Sequence, residues 1–294
     1  MKTQMFRGTG VAVITPFNNS GTVDYTALGK LIKHIINGKV NFIVALGTTS
    51  EAPVLSQDEK NAVLKHILKI NDGKLPVVLG MGGNNTQMIV DDVKSMDLTG
   101  IGGILSVAPY YNKPNQKGLY YHFKSIAQAS PLPVILYNVP GRTSSNLNAE
   151  TTLDLAGEFD NIVAIKEASG DMTQIMEIIK NKPKDFTVLS GDDALTYPMM
   201  AVGAEGVISV VANAYPGPFS DMVRLCLGDK YPEARKIHYK LLEIMNALFE
   251  DGNPAGIKAA LNIMGIAGNN LRLPLLKANK ATYNKLKALI EKNK

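Results

Sequence analysis

One lysine of the sequence interrupts an apolar run, and its position suggests covalent chemistry. Lys166 follows four apolar residues in the segment 161–169 (NIVAIKEAS). Burial of an ammonium group is costly and lowers its pKa, which favours the neutral amine. A neutral amine is the form that makes a Schiff base with a ketone. Lys166 is therefore a candidate nucleophile, and an ion pair with a carboxylate such as Glu167 is the structural alternative.

A tyrosine occupies the corresponding end of the preceding apolar run. Tyr137 lies in the segment 134–143 (VILYNVPGRT). Because neighbouring strands of a sheet lie about 5 Å apart, its hydroxyl could approach the amine of Lys166. A phenol there could relay protons between a carbinolamine, its leaving water and a carbon acid. The alternative is an aromatic ring that only closes the top of the fold.

Two loops that follow apolar runs carry groups suited to an anion. A glycine is followed by Thr48, Thr49 and Ser50, and successive hydroxyl and backbone N–H groups at a strand end form a good carboxylate cradle. Arg142 lies in the loop after the tyrosine run, and a guanidinium binds a carboxylate or phosphate through two hydrogen bonds. Hydroxyl-rich loops and surface arginines in salt bridges are common, so neither motif alone identifies a site.

The sequence offers little for metal or nucleotide chemistry. Cys226 is the only cysteine, no two histidines have metal-ligand spacing, and each histidine lies in a polar, helix-like segment where we expect it to be solvated. The glycine-rich segment 80–85 lacks the Lys-Ser/Thr pair of a P-loop and the three-glycine spacing of a dinucleotide fingerprint. We therefore expect no metal and no cofactor. The histidines are His34, His66, His122 and His238.

Eight short apolar runs must position these groups. Each is rich in β-branched residues and apolar on both faces, which is typical of parallel strands covered on both sides. Amphipathic stretches alternate with them, one beginning with the Ser-x-x-Glu capping-box spacing at 56–59. Strict β–α alternation allows a doubly wound sheet or a closed barrel, and a count of eight favours the α/β fold of the (β/α)8 TIM barrel. The active-site groups of such a barrel lie at the carboxyl ends of its strands. The runs are 10–17, 41–47, 76–80, 103–109, 133–138, 162–167, 186–191 and 206–212.

Beyond the eighth β–α pair the strand signal ends and helical periodicity continues. We predict a catalytic barrel over residues 1–229 and a C-terminal helical domain over 230–294. The composition is globular, with 294 residues, 45% of them hydrophobic, and a net charge of +5. No run of about 18 apolar residues is present, no apolar signal stretch begins the chain, and the six lysines of segment 277–294 are interleaved with apolar residues at helical spacing. We expect a cytoplasmic protein that binds neither membrane nor nucleic acid.

Six motifs occur in order at the ends of these runs: GTTSE (47–51), PYYNKP (109–114), YNVPGRT (137–143), IKEASGD (165–171), SGDD (190–193) and GVISV (206–210). Together they resemble the dihydrodipicolinate synthase family, within the pyruvate-dependent class I aldolases, over essentially the whole chain. The resemblance implies a (β/α)8 barrel followed by a helical domain, in a homotetramer built from dimers or in a homodimer. It also implies pyruvate and L-aspartate 4-semialdehyde as substrates.

The resemblance further implies a role for each catalytic candidate. Pyruvate would condense with Lys166 to an imine, which tautomerises to an enamine and attacks the aldehyde. The amine of the aldehyde substrate would then cyclise and release the lysine. Thr48 would link Tyr137 to Tyr111 in a proton relay. Tyr111 would reach in from the neighbouring subunit, which would make dimerisation part of catalysis.

Binding roles follow from the same resemblance. Thr49 would hold the pyruvate carboxylate together with Thr48, and Arg142 would bind the carboxylate of the semialdehyde. Gly191 and Ile208 would line the site through their backbone carbonyls.

The chain departs from the family where many members bind inhibitory lysine, through histidines and a glutamate at the dimer interface. The matching positions hold Ala52, Pro53, Gln57, Lys60 and Met88. Because Lys60 adds a cation and Met88 supplies no carboxylate, binding of a lysine ammonium should be disfavoured. We therefore expect weak or absent feedback inhibition.

Three other functions stay open at this point. N-acetylneuraminate lyase and 2-keto-3-deoxy sugar-acid aldolases share the lysine and the tyrosine, but their sites would need hydroxyl-binding groups after Pro140 in place of Arg142. A non-catalytic relative that binds pyruvate would be expected to have lost the lysine, the tyrosine or a threonine. A metal-dependent barrel for phosphate substrates would need acidic or histidine clusters at strand ends, for which Glu167 and the pair 192–193 are the nearest candidates.

Overall fold

The computed structural model describes residues 3–293 and shows a closed barrel of eight parallel strands. The strands follow their sequence order around the barrel, and the eighth pairs in parallel with the first. The predicted (β/α)8 TIM barrel is therefore confirmed. The strands are β1 (Gly8–Ala12), β2 (Phe42–Ala45), β3 (Val77–Gly80), β4 (Gly103–Val107), β5 (Val134–Asn138), β6 (Ile162–Glu167), β7 (Thr187–Ser190) and β8 (Gly206–Ser209).

Each strand is followed by at least one α-helix, and three more helices follow the last β–α pair. The predicted capping box is present: the Ser56 hydroxyl accepts from the Glu59 N–H, and the Glu59 carboxylate accepts from the Ser56 N–H. The helices are α1 (Tyr25–Asn37), α2 (Gln57–Asn71), α3 (Thr86–Ser95), α4 (Gln116–Ala129), α5 (Pro140–Thr143), α6 (Ala149–Glu158), α7 (Met172–Asn181), α8 (Thr196–Ala201), α9 (Pro216–Leu227), α10 (Tyr231–Ala247), α11 (Ala255–Ile263) and α12 (Lys280–Lys292). Within residues 3–293, no helix is long and apolar enough to cross a membrane.

Several strands are shorter than the apolar runs that predict them. The run 10–17 is strand only as far as Ala12, and it continues as a buried loop to Phe17, which pairs with Val23 in an isolated antiparallel bridge. The reason is that apolar composition reports burial, whereas a strand also needs a neighbouring backbone to bond with. Val13, Leu46 and Ala108, just past the ends of their strands, are likewise buried without being strand residues.

The barrel interior combines small residues with large rings. Phe6 and Phe42 pack edge to face, with ring centroids 5.7 Å apart. A Cβ atom on Gly10 would lie 2.2 Å from the Phe42 ring, so the glycine leaves the space that the ring fills. The same interior cluster continues upward to Tyr137 and Ile208. Filled layers of this kind make the barrel a packed core with its open space only at the ends.

Two histidines occupy positions that the sequence predicts to be solvated, and this prediction is wrong for them. His122 and His238 are both buried. His122 lies on the buried face of α4, beside Phe123, and its Nδ1 lies 2.8 Å from the Thr86 hydroxyl. Burial lowers the pKa of His122 to about 4, so it is neutral near pH 7. Its place on the apolar stripe of the helix was readable from the helical period.

The C-terminal helices do not stand apart from the barrel. Helix α10 packs against α8 and α9, and α12 packs against α10 and α11. The segment that begins α11 also reaches the loop after β2, through Asn253 and Lys258. The predicted boundary at 229/230 falls between α9 and α10, and the division into two domains stays a prediction.

Candidate active site

Lys166 and Tyr137 lie side by side at the carboxyl ends of β6 and β5. Their Cα atoms are paired in the register of the two strands. Lys166 is 5% exposed and Tyr137 is 6% exposed. The Lys166 Nζ lies 4.1 Å from the centroid of the Tyr137 ring. The two groups that the sequence predicts to meet are therefore in contact, with the amine over the face of the ring.

Glu167 is not the partner of Lys166. Successive side chains of a strand point to opposite faces, and the Glu167 carboxylate lies in a buried polar cluster behind the barrel wall. It accepts from the Ser169 N–H at 2.8 Å, from the Gln174 side-chain amide at 3.1 Å and from the Asn138 side-chain amide at 3.2 Å. Burial raises the pKa of Glu167. No carboxylate within residues 3–293 forms an ion pair with Lys166, so the ion-pair alternative is wrong.

The loop after β2, residues 47–51, is here named the threonine loop. Its residues Thr48–Ser50 form a single 3₁₀ turn, closed by a 2.7 Å hydrogen bond from the Ser50 hydroxyl to the Gly47 carbonyl. Thr49 is buried, whereas Thr48 is exposed. The side-chain amide of Asn253 donates to the Thr49 hydroxyl oxygen at 2.9 Å. The turn therefore presents two hydroxyls at one strand end, as a carboxylate cradle requires.

Arg142 lies in the short helix α5, which follows β5. It is exposed, and it lines the same cavity as Lys166 and Tyr137. Its guanidinium forms no ion pair with any carboxylate in the part of the chain that the structure describes. The surface salt bridge that the sequence left open is therefore not formed, and the guanidinium is available to an anion.

Gly191 and Ile208 have different relations to Lys166. A Cβ atom on Gly191 would lie 3.0 Å from the Lys166 Cε and 2.6 Å from the Ala168 Cβ. Glycine is thus needed at 191 to leave room for the stem of the lysine. Ile208 is buried in the barrel interior, and it does not line the two cavities at the carboxyl end of the barrel.

A cavity of about 530 Å³ opens over the carboxyl end of the barrel, and a second of about 530 Å³ adjoins it. Residues of α10 and the loop after it close the second cavity, whereas the first extends towards Gln57 and Lys60 of α2. Five of the predicted site residues line both cavities, namely Thr48, Thr49, Tyr137, Arg142 and Lys166. These five residues place one buried amine, three hydroxyls and one guanidinium around a space large enough for two small carboxylates.

Tyr111 is not part of this cavity in its own chain. It is 88% exposed and has a φ of 75°. The neighbouring Tyr110 lines the cavity instead. A relay through Tyr111 would therefore need a second subunit.

Two residues near the site were missed by the sequence reasoning. Asn253 lines both cavities, and Lys258 forms a fully buried ion pair with Glu51 at the end of the threonine loop. A signal for Lys258 was present, because it interrupts the apolar helix α11 much as Lys166 interrupts an apolar strand. No local signal distinguishes Asn253 from other loop asparagines.

Metal and thiol chemistry find no further support in the geometry. Within residues 3–293, no three His, Cys, Asp or Glu side chains lie close enough together to hold a metal ion. Cys226 is buried, and burial raises the pKa of its thiol to about 11. A thiol of that pKa contains very little thiolate near pH 7, so it is a poor nucleophile.

The buried carboxyl group of Asp193 is expected to make the free energy of unfolding depend on pH. Its carboxylate is buried and accepts from the backbone N–H groups of Val210 and Val211, at 3.0 and 2.7 Å, just beyond β8. Burial raises the pKa of Asp193 from 3.8 to about 6. Because the folded state binds this proton more tightly, the resulting stabilisation is complete below about pH 4 and is lost as the pH rises through about 6.

Asp193→Asn keeps an oxygen for both N–H groups and removes the titration. We expect the free energy of unfolding of the wild type, relative to this variant, to fall by roughly 2–3 kcal/mol between about pH 4 and pH 7. Urea unfolding of both proteins across this range measures the difference. A difference that stays constant with pH would contradict the assignment.

Comparison with known proteins agrees with this geometry. The chain matches the family described as "Dihydrodipicolinate synthetase family" over residues 5–293. It is 51% identical over 284 residues to the 4-hydroxy-tetrahydrodipicolinate synthase of Parabacteroides distasonis, covering 97% of this chain and 96% of that protein. It is also 51% identical over 283 residues to the enzyme of that name from Flavobacterium psychrophilum, covering 96% and 97%.

Solved structures of dihydrodipicolinate synthases have the same fold as this chain. Dihydrodipicolinate synthase from Thermotoga maritima superposes with a TM-score of 0.96 at 40% identity, covering 98% of this chain and 99% of that one. A monomeric dihydrodipicolinate synthase variant superposes with a TM-score of 0.96 at 39% identity, covering 99% and 98%. The resemblance inferred from the six motifs is confirmed.

Proposed function

Because this chain belongs to the dihydrodipicolinate synthetase family, we propose that it condenses pyruvate with L-aspartate 4-semialdehyde on Lys166. Its activity is that of a lyase of the class I aldolase type, 4-hydroxy-tetrahydrodipicolinate synthase, in lysine and diaminopimelate biosynthesis. The observation that carries the assignment to these residues is the buried amine of Lys166, which lies against Tyr137 in a cavity that also contains two threonine hydroxyls and the Arg142 guanidinium.

The first half of the reaction makes a nucleophile from pyruvate. Thr48 and Thr49 hold the carboxylate while the Lys166 amine adds to the keto carbon. Tyr137 gives a proton to the departing hydroxyl, so the carbinolamine loses water and becomes an imine. The imine withdraws electrons from the methyl carbon, which then loses a proton to form the enamine. The imine itself is the electron sink for this step.

The second half joins the two substrates. The enamine carbon attacks the aldehyde carbon of the semialdehyde, whose carboxylate is bound by Arg142, and the new alkoxide takes up a proton. The imine is restored by this attack. The amine of the former semialdehyde then adds to the imine carbon and expels the Lys166 amine, which closes the ring. One water is released overall, and Lys166 is regenerated.

Substrate choice is tested by comparing acceptor classes in one preparation. We expect turnover of pyruvate with aspartate semialdehyde, followed as NADPH oxidation by added dihydrodipicolinate reductase. We expect no pyruvate release from N-acetylneuraminate or from 2-keto-3-deoxy sugar acids, followed with lactate dehydrogenase. Arg142 supports this expectation, because it suits a second small carboxylate. Release of pyruvate from a sugar acid, without turnover of the semialdehyde, would transfer the assignment to the sugar-acid aldolases.

We further propose that the active unit is at least a dimer, in which Tyr111 serves the neighbouring subunit. Its ring is exposed, and so are the side chains of Leu273 and Leu276. Tyr110 and Leu275, which are adjacent in sequence to these residues, both line the first cavity. Exposed apolar side chains near a site mark a surface that another protein covers.

Mixed dimers test the origin of Tyr111. We expect Lys166→Ala and Tyr111→Phe each to be nearly inactive alone, the tyrosine variant by about 10²-fold because a proton relay is lost. Coexpressed together, they should regain about a quarter of wild-type activity, because half of randomly paired dimers contain one complete site. Mixed dimers purified with two different tags should reach about half of wild-type activity, because one of their two sites is complete. No gain in the mixed dimers would assign Tyr111 to its own chain or to no site.

Feedback inhibition by lysine is expected to be weak. Lys60 and Gln57 line the first cavity. Two acidic residues also line it: Glu51, which is paired with Lys258, and Asp92, whose charge the Lys60 cation offsets. Millimolar lysine should therefore change turnover by less than about twofold. The double variant Lys60→His/Met88→Glu is the matched comparison and should become more sensitive. Strong inhibition of the wild type would contradict this expectation.

A further inference from the structure

The segment that leads into α11 contacts the threonine loop at two points. Asn253 donates its side-chain amide N–H to the Thr49 hydroxyl oxygen at 2.9 Å. Five residues later, the Lys258 ammonium pairs with the Glu51 carboxylate. Asn253 is 8% exposed. The middle and the end of the loop are thus tied to one segment that lies about 200 residues further along the chain.

The direction of the Asn253 hydrogen bond matters for an anion. A threonine hydroxyl has one proton and two lone pairs. Because Asn253 donates to the oxygen, the proton of the Thr49 hydroxyl is left for another acceptor. A carboxylate can only accept hydrogen bonds. Asn253 therefore orients the hydroxyl as a donor towards the cavity that both residues line.

The ion pair at Glu51 holds the rest of the loop. Glu51 has a φ of 56°, in the left-handed region that non-glycine residues seldom adopt. Its second carboxylate oxygen accepts the Arg272 backbone N–H at 3.1 Å. The Lys258 ammonium also donates to the Asn270 carbonyl at 2.8 Å and lies 4.1 Å from the centroid of the Phe17 ring. The loop backbone is therefore fixed before a ligand arrives.

We propose that Asn253 is a positioning residue for the keto-acid carboxylate, which acts by directing the Thr49 hydroxyl proton into the site. This inference rests on the proposed binding of pyruvate at the threonine loop. It identifies the C-terminal segment as a determinant of pyruvate affinity, although that segment lies outside the β–α units of the barrel. Asn253 itself takes no part in the covalent steps.

The test is a double-variant cycle with Asn253→Ala and Thr49→Val. We expect Asn253→Ala to raise the KM for pyruvate about tenfold, as loss of one oriented hydrogen bond to a charged group does, with kcat and the KM for the semialdehyde within about twofold of wild type. In the Thr49→Val background the same substitution should add nothing. Equal losses in all three constants, or additive losses in the double variant, would overturn the proposal. Asn253→Asp is the second variant, used if the alanine protein does not fold, because it keeps the shape but cannot donate to Thr49.

Borohydride trapping separates this inference from the proposed function. The pyruvate concentration that half-saturates trapping on the wild type is compared with that for Asn253→Ala. We expect it to rise by the same factor as the KM. An unchanged concentration in the variant overturns the role of Asn253 alone. A wild type that traps no pyruvate overturns the proposed function, and this inference with it.

Discussion

Lys166→Ala is expected to lower kcat by at least about 10⁴-fold and to abolish the trapping of pyruvate by borohydride. Removal of a covalent nucleophile has effects of this size because no other route to the intermediate is available. Among residues 3–293, Lys60 is the only other lysine that lines either cavity. Lys258 is fully buried in its ion pair, and Lys60 lies in the outer part of the cavity on α2.

Lys60→Ala is the matched control, because it removes a second lysine that lines the same cavity. It should keep turnover near the wild-type level and should still trap one pyruvate. The coupled NADPH assay gives the rate, and mass spectrometry of the reduced protein locates the adduct. An adduct of comparable yield on Lys166→Ala protein would assign the imine to a different lysine.

Lys258→Met is expected to have the largest effect on stability, lowering the free energy of unfolding by about 3–5 kcal/mol. The reason is that the buried carboxyl group of Glu51 would be left without its cationic partner. Burial lowers the pKa of Lys258 to about 8, although the Glu51 carboxylate raises it. The attraction of Glu51 thus only partly offsets the cost of removing the Lys258 ammonium from water. A large loss of stability is therefore expected only when one partner of the pair is removed and the other stays buried.

Two further variants separate the buried pair from lysine substitution in general. Lys285→Met removes a lysine from the exposed pair with Glu250, and it should cost less than about 1 kcal/mol. The double variant Lys258→Met/Glu51→Gln should recover part of the loss, because no unpaired charge is left inside. Urea unfolding gives all three values. A loss for Lys258→Met as small as that for Lys285→Met would contradict the role assigned to this pair.

Lys166 and Lys258 share one sequence signal. Each interrupts an apolar segment, one in a strand and one in a helix. Lys166 has no carboxylate partner within the described part of the chain and lines both cavities. Lys258, in contrast, is paired with Glu51 and lines neither cavity. Burial alone therefore does not distinguish a nucleophile from a structural cation. The surroundings that make this difference come from other elements.

Much of the architecture was determined by the sequence alone. Runs that are apolar on both faces predict parallel strands covered on both sides, and the alternation of eight such runs with amphipathic stretches leads to the barrel. The proximity of Tyr137 and Lys166 follows from the same reasoning, because consecutive strands of such a barrel are neighbours. The six motifs were sufficient to identify the family, since their residues lie at the strand ends where such enzymes have their sites.

Other features were decided only by the tertiary structure. The sequence period already indicates that Glu167 points away from Lys166 and that His122 lies on the buried stripe of its helix. It does not indicate which groups these side chains contact, or whether they contact solvent. The contacts of Asn253 with Thr49 and of Lys258 with Glu51 join residues 204 and 207 positions apart. Periodicity and capping act over a few residues, whereas these contacts depend on how the C-terminal helices fold back over the barrel. For that reason the sequence determined the barrel and indicated Lys166 as the candidate nucleophile, and the folded chain determined what holds the threonine loop in place.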